Sequence, residues 1–197
     1  MPSLFSFLRE NARWLAAGFL MALASSFGQT FFIAIFSEPL RQSFSLSEGE
    51  FASIYMVATL GSAFTLIWLG QLADTVPPRR LAALIALALA GVCLAMASVT
   101  HWLVLIPVIF GLRLFGQGMI SHLSQTTMAR WFVATRGRAL AVASFGYPTG
   151  EALAPLAAVA LIAAVGWRQT WVIAMKKVCP KLDASAIRNP AASQRAF

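Results

Sequence analysis

Long stretches without charged residues constrain this chain more than any other feature. Residues 14–37 and 51–73 contain no charge, and 81–99, 102–129 and 139–166 are apolar runs with at most one charge each. A helix needs about 20 apolar residues to cross the hydrocarbon core of a bilayer. At this hydropathy only helices satisfy every backbone polar group in lipid, since barrel strands alternate in polarity. The sequence therefore predicts an all-α membrane protein with five complete transmembrane helices, termed spans 1 to 5 in chain order.

The composition predicts that much of the protein surface faces the lipid bilayer, which is its expected partner. Only 11% of the residues are charged and the mean hydropathy is +0.74, whereas an ordinary soluble domain is about 25% charged. The net charge of +8 does not predict nucleic-acid binding, because the basic residues punctuate apolar runs instead of forming one face. Cys93 and Cys179 offer neither a disulfide framework nor metal-ligand spacing. We expect no cofactor, no metal and no enzymatic activity.

The distribution of arginine predicts the orientation. Cytoplasmic loops carry an excess of Lys and Arg, and an N-terminus inside the cell places seven arginines within and two outside. The inner set is Arg9, Arg13, Arg79, Arg80, Arg130, Arg136 and Arg138, and the outer set is Arg41 and Arg168. We therefore expect a multi-pass protein of the bacterial inner membrane with a cytoplasmic N-terminus.

A sixth helix begins after span 5 but does not reach the length of a span. Residues 169–175 are uncharged and cover only ~10 Å at helical rise. The predicted transmembrane bundle is therefore 1–175, and 176–197 is predicted to be a polar, basic and disordered tail. Its basic residues would lie outside the cell, against the charge rule, so we expect a frameshift or truncation near Met175.

The loop between spans 2 and 3 carries the most specific motif. Residues 70–80 read GQLADTVPPRR, which resembles the G-x-L-A-D-R-x-G-R-R signature of the major facilitator superfamily. The positions that match its charged and glycine residues are Gly70, Asp74, Arg79 and Arg80, and those that depart are Thr75, Pro77 and Pro78. The resemblance implies a gating loop whose aspartate engages a second half of the transporter. By charge alone, the loop could simply be a solvated inner loop.

Spans 4 and 5 resemble the same family less completely. Span 4 has Arg113 and the glycines of R-x-x-Q-G-x-G, with Gln117 one position late. In span 5, Gly146 and Gly150 fit G-x-x-x-G-P, but Glu151 stands where the proline is expected. Small residues at this spacing permit close helix packing, and the prolines permit a bend. The predicted packing residues are Gly146, Gly150, Pro148 and Pro155.

Arg113 and Glu151 are the predicted functional charges inside the membrane. Arg113 lies ~16 Å along the helix from Trp102, a depth at which an unpaired charge is costly. The two charges come within about a helical turn in depth, so we expect their side chains to meet, with Arg113 attracting an anion and Glu151 either carrying a proton or holding Arg113 ready. A purely structural ion pair is the alternative. Gln117, Gln29 and Tyr55 are predicted to line the same pathway.

The resemblance implies a secondary transporter that moves a small solute by alternating access between two six-helix halves. The loop between spans 4 and 5 resembles bacterial monocarboxylate-type members, and with Arg113 this favours an organic anion. This chain would supply the N-terminal half and a separate polypeptide the C-terminal half. Two alternatives stay open, namely a membrane subunit that needs a second polypeptide and a nonfunctional fragment of a disrupted gene.

Overall fold

A computed structural model describes residues 4–178, and every regular element within them is helical. Five helical stretches are long and apolar enough to cross a membrane, which confirms the predicted all-α membrane fold. In chain order they are Ala12–Ile35, Glu48–Thr75, Pro78–Ser98, Trp102–Trp131 and Arg136–Lys176. The first four are spans 1 to 4, and the last contains span 5 followed by the start of the sixth helix.

Shorter elements make up these stretches. The α-helices are α1 (Leu4–Glu10), α2 (Ala12–Ala24), α3 (Thr30–Ile35), α4 (Ser37–Phe44), α5 (Glu48–Leu69), α6 (Leu72–Thr75), α7 (Pro78–Ser98), α8 (Leu105–Gly111), α9 (Ser121–Trp131), α10 (Arg136–Ser144) and α11 (Gly146–Val178). Two 3₁₀ helices cover Ser25–Gly28 and Trp102–Val104, and a π-helix covers Leu112–Ile120.

Helix caps explain why spans 2 and 3 begin three residues before their predicted starts. The Ser47 hydroxyl accepts from the backbone N–H of Glu50, while the Glu50 carboxylate accepts from the backbone N–H of Ser47. This capping box places two glutamates in the first turn of α5, where the helix dipole favours negative charge. Span 3 begins at Pro78 because proline fits the first helical position, where no N–H is needed.

Span 1 is not the continuous helix that its uncharged sequence predicts. Its backbone tightens into a 3₁₀ helix at Ser25–Gly28 and is extended at Gln29, with φ −75° and ψ 152°. Gly28 lies directly against the backbone of Gly116 in the π-helix of span 4, so a Cβ on either glycine would collide with the other. The two irregular segments therefore pack on each other at the centre of the bundle.

Glycines also bring spans 1 and 5 together. A Cβ on Gly146 would lie 2.7 Å from the Cβ of Ala22, and one on Gly150 would collide with the Ser26 hydroxyl. Pro148 lies in the first turn of α11, and Pro155 lies inside it. Because proline has no N–H, Pro155 leaves the carbonyl of Glu151 without its usual partner four residues on.

The sixth helix follows a break in α11. Gly166 has φ 81° and ψ 162°, a conformation that L side chains rarely adopt, so span 5 ends there. Beyond the break Trp171 is fully buried against Phe32 and Phe36 of span 1. Arg168 donates to the Ala97 carbonyl of span 3 over 2.9 Å. The helix continues to Val178, three residues past its predicted end, and the remainder of the predicted tail lies outside the described residues.

Candidate functional site

Arg113 points into the junction of spans 1, 2 and 4. Its Nη1 donates to the Gly28 carbonyl over 3.3 Å and to the Thr30 hydroxyl over 3.1 Å. Its guanidinium carbon lies 5.5 Å from the centre of the Tyr55 ring, within cation–π range. In a regular α-helix the N–H of Phe32 would bond to the Gly28 carbonyl, four residues earlier. Here it bonds to the Gln29 carbonyl instead, so the Gly28 carbonyl can accept from Arg113. The break in span 1 therefore supplies an acceptor for a cation inside the membrane.

Glu151 lies in α11, within span 5. It is exposed to a cavity of about 430 Å³ between spans 1 and 5, a volume within the range of small-ligand sites. The residues that line this cavity are Ser26, Gln29, Thr30, Phe31, Tyr147 and Glu151. Within the described chain Glu151 forms no ion pair.

The expected meeting of Arg113 and Glu151 does not occur, since no ion pair joins them in the described structure. Similar depth in the membrane was the basis of that expectation, but depth leaves direction around the helix undetermined. Arg113 turns toward Gly28 and Thr30 of span 1 and toward Tyr55 of span 2, whereas Glu151 borders the cavity between spans 1 and 5. Thr30 is the residue that both surroundings share.

Thr30 is the site residue that the sequence analysis missed. Its hydroxyl oxygen accepts from both Arg113 and Tyr55, the latter over 2.9 Å, and Thr30 also lines the cavity with Glu151. A signal was present, because SSFGQT at residues 25–30 places small and polar residues around a glycine within an apolar span. Such a cluster is typical of an interrupted helix.

The other predicted pathway residues occupy different places. Gln29 lines the cavity and its Nε2 lies 3.4 Å from the Ser25 hydroxyl. Tyr55 contacts Arg113 and Thr30, whereas Gln117 has a buried Oε1 with no hydrogen-bond partner in the described structure. Ser124, which a regular α-helix would place on the same face as Arg113, is fully buried and donates to the Gly18 carbonyl of span 1. The π-helix between the two residues alters that helical spacing.

The loop after span 2 holds a separate set of charges. Asp74 forms an ion pair with Arg130 at the end of span 4, and Arg130 also donates to the Ala73 carbonyl over 2.8 Å. Arg79 and Arg80 are exposed at the start of span 3 and pair with no carboxylate within the described residues. Gly70, Asp74 and His122 line a second cavity of about 400 Å³.

Comparison with known proteins identifies the chain's family. The family model described as Major Facilitator Superfamily matches residues 18–175, which is most of the chain. Searches among curated proteins and among solved structures returned no match. The matched region begins within span 1 and contains spans 2 to 5, the junction around Arg113 and the inner loop. Members of this family are transporters, not enzymes, and act on small solutes from within the bilayer. The chain belongs to the Major Facilitator Superfamily and is an integral, multi-pass membrane protein.

Proposed function

We propose that this chain forms the N-terminal bundle of a secondary transporter for a small organic anion, of monocarboxylate type. The observation that carries the proposal is that Arg113 is held by neutral groups only, namely the carbonyl of Gly28, the hydroxyl of Thr30 and the ring of Tyr55. Both hydrogen bonds come from Nη1, which leaves Nη2 for a ligand. An anion would compensate a charge that the described protein leaves uncompensated.

Glu151 has the second role in this proposal, as the proton carrier that couples transport to an ion gradient. It lines the cavity beside Thr30, and no cation of the described chain pairs with it. An ionised carboxylate there would repel an anionic solute across the cavity, and protonation would remove that repulsion. Gln29 on the same cavity wall offers hydrogen bonds to the solute.

Alternating access requires a second six-helix half, which we propose a separate polypeptide supplies. Gly70, Asp74, Arg79 and Arg80 would form the inner gate against it. Uptake of labelled monocarboxylate into proteoliposomes tests this arrangement, with the chain alone compared with the chain plus its co-purified partner. Uptake only with the partner supports the two-chain carrier. Uptake by the chain alone would refute the need for a second half. No binding or uptake in either preparation would favour a nonfunctional fragment.

The bacterial inner membrane is the proposed location, with the N-terminus in the cytoplasm. The excess of arginine at the end that contains Asp74 and Arg130 supports this orientation. Alkaline phosphatase fused after Ser45 should be active, and the same enzyme fused after Thr135 should be inactive, because it folds only outside the cytoplasm. The reverse pattern would overturn the orientation.

A further inference from the structure

Thr30 connects Arg113 to the cavity between spans 1 and 5. Thr30 lines that cavity together with Glu151 and Gln29, and Arg113 adjoins the cavity beside Thr30. The Nη1 atom of Arg113 lies 3.1 Å from the Thr30 hydroxyl oxygen. The positive charge therefore influences the cavity through a hydroxyl group that belongs to both environments.

The hydrogen bonds of Thr30 leave its hydroxyl one remaining capacity. A threonine hydroxyl has two acceptor positions and one hydrogen to donate. Arg113 donates to one acceptor position and Tyr55 donates to the other, over 3.1 Å and 2.9 Å. With Tyr55 as the donor of that pair, the hydrogen of Thr30 is free to donate to a further partner, and its exposed side chain borders the cavity.

We propose that Thr30 is a specificity-determining residue that donates a hydrogen bond to the carboxylate of the transported solute. This inference rests on the proposed anion transport. A carboxylate only accepts hydrogen bonds, so it suits a site where Thr30 and Arg113 both only donate. A primary amide of the same shape has one acceptor oxygen in place of two, so its NH2 group would face either Thr30 or Arg113, neither of which has an acceptor position to offer. The charged donor on Thr30 also polarises its O–H bond, which strengthens donation.

The opposite wall orients the solute. While Glu151 is ionised it repels the solute carboxylate from that side, and once it is protonated the positive charge of Arg113 still attracts the carboxylate to the side of Thr30. The carboxylate therefore occupies the Thr30 end of the cavity, and the remainder of the solute extends toward span 5. Selection between a carboxylate and its amide then depends on the hydroxyl of Thr30 and on the partner that fills its second acceptor position.

The test compares acids with their primary amides on the purified full chain in detergent micelles, together with its co-purified partner where one is present. The probes are acetate, propionate, lactate and pyruvate, each beside its amide, with affinity taken from the ligand dependence of the melting midpoint. Thr30→Val keeps the shape and removes the hydroxyl, and it should weaken acid binding about tenfold or more. Thr30→Ser retains the hydroxyl and should stay within about threefold of the wild type.

Tyr55→Phe gives a second, independent readout. It keeps the aromatic ring under Arg113 but removes the donor to Thr30, which frees one acceptor position. The preference for acid over amide should therefore fall about tenfold, mainly because the amide binds better. A purely structural role for Thr30 would change affinity without changing this preference.

The outcomes separate the two proposals. If the wild type binds no acid on the panel, both the anion transport and the role of Thr30 are overturned. If the wild type binds an acid and Thr30→Val binds it equally well, only the role of Thr30 is wrong. Acid binding that weakens in Thr30→Val and survives in Thr30→Ser supports the inference, as does amide tolerance in Tyr55→Phe.

Discussion

Two arginines of span 4 stand in contrasting surroundings. Arg130, at the inner end, pairs with Asp74, and both side chains are about half exposed, at 48% and 62%. Arg113, within the π-helix, is partly buried and contacts a carbonyl, a hydroxyl and an aromatic ring. Arg130 therefore has a carboxylate partner at an exposed end of the bundle, whereas Arg113 pairs with no carboxylate among the described residues.

This difference indicates what each arginine is for. An exposed ion pair contributes little free energy, because water and salt screen it, so the Asp74–Arg130 pair is suited to break and re-form as a gate. Neutral partners hold the Arg113 guanidinium in place without cancelling its charge. The guanidinium therefore still attracts an anion. Its position depends on the break in span 1, which leaves the Gly28 carbonyl available to accept from it.

The largest expected effect comes from removing the charge of Arg113. Arg113→Met keeps much of the side-chain volume, and we expect it to weaken binding of the carboxylate probe about 100-fold, since a charge-assisted hydrogen bond is lost in an enclosed site. Arg113→Lys, the control, keeps the charge but loses the fork geometry and should bind with intermediate affinity. Titration calorimetry measures both, and wild-type affinity in Arg113→Met would remove the distinction between the two arginines.

A smaller effect should follow from disturbing the break that holds Arg113. A Cβ at Gly28 would collide with the backbone of span 4, so Gly28→Ala should destabilise the protein by about 1–3 kcal/mol. Gly91→Ala is the matched control, because nothing lies within 4 Å of a Cβ there and alanine favours a helix.

The melting midpoint in detergent measures both glycine variants. We expect Gly28→Ala to melt below the wild type and Gly91→Ala to melt at or above it. Equal midpoints for the two variants would show that the contact between spans 1 and 4 is looser than the structure has it.

The smallest expected effect is at the inner loop. Asp74→Asn should change the unfolding free energy by only about 0–1 kcal/mol, because the ion pair with Arg130 is exposed. A double-mutant cycle with Arg130→Gln isolates the pair from the separate bond that Arg130 makes to the Ala73 carbonyl. A coupling energy of several kcal/mol would make this pair a structural lock and contradict its role as a gate.

Hydropathy and charge made most of the fold predictable. The five spans, their short connections and the family resemblance follow from residues that must either enter lipid or avoid it. Spans 2 and 3 begin earlier than the charge-free runs predict, because the Ser47 cap and Pro78 start each helix before its apolar run. The site was less predictable, because helical spacing gives depth and face only for a regular helix. Span 1 is broken at Gly28 and span 4 is a π-helix around Arg113.

The sequence by itself determined that this chain spans a bilayer and which charges enter it, because the transfer of each residue into lipid depends mainly on its own chemistry. Only the tertiary structure decided which partners those charges meet. Arg113 meets Thr30 and Tyr55 where Gly28 and Gly116 pack together, while Glu151 borders the cavity between spans 1 and 5. That outcome depends on contacts such as the hydrogen bond from Arg113 to Gly28, two residues that lie 85 positions apart in the sequence, so no local pattern encodes it.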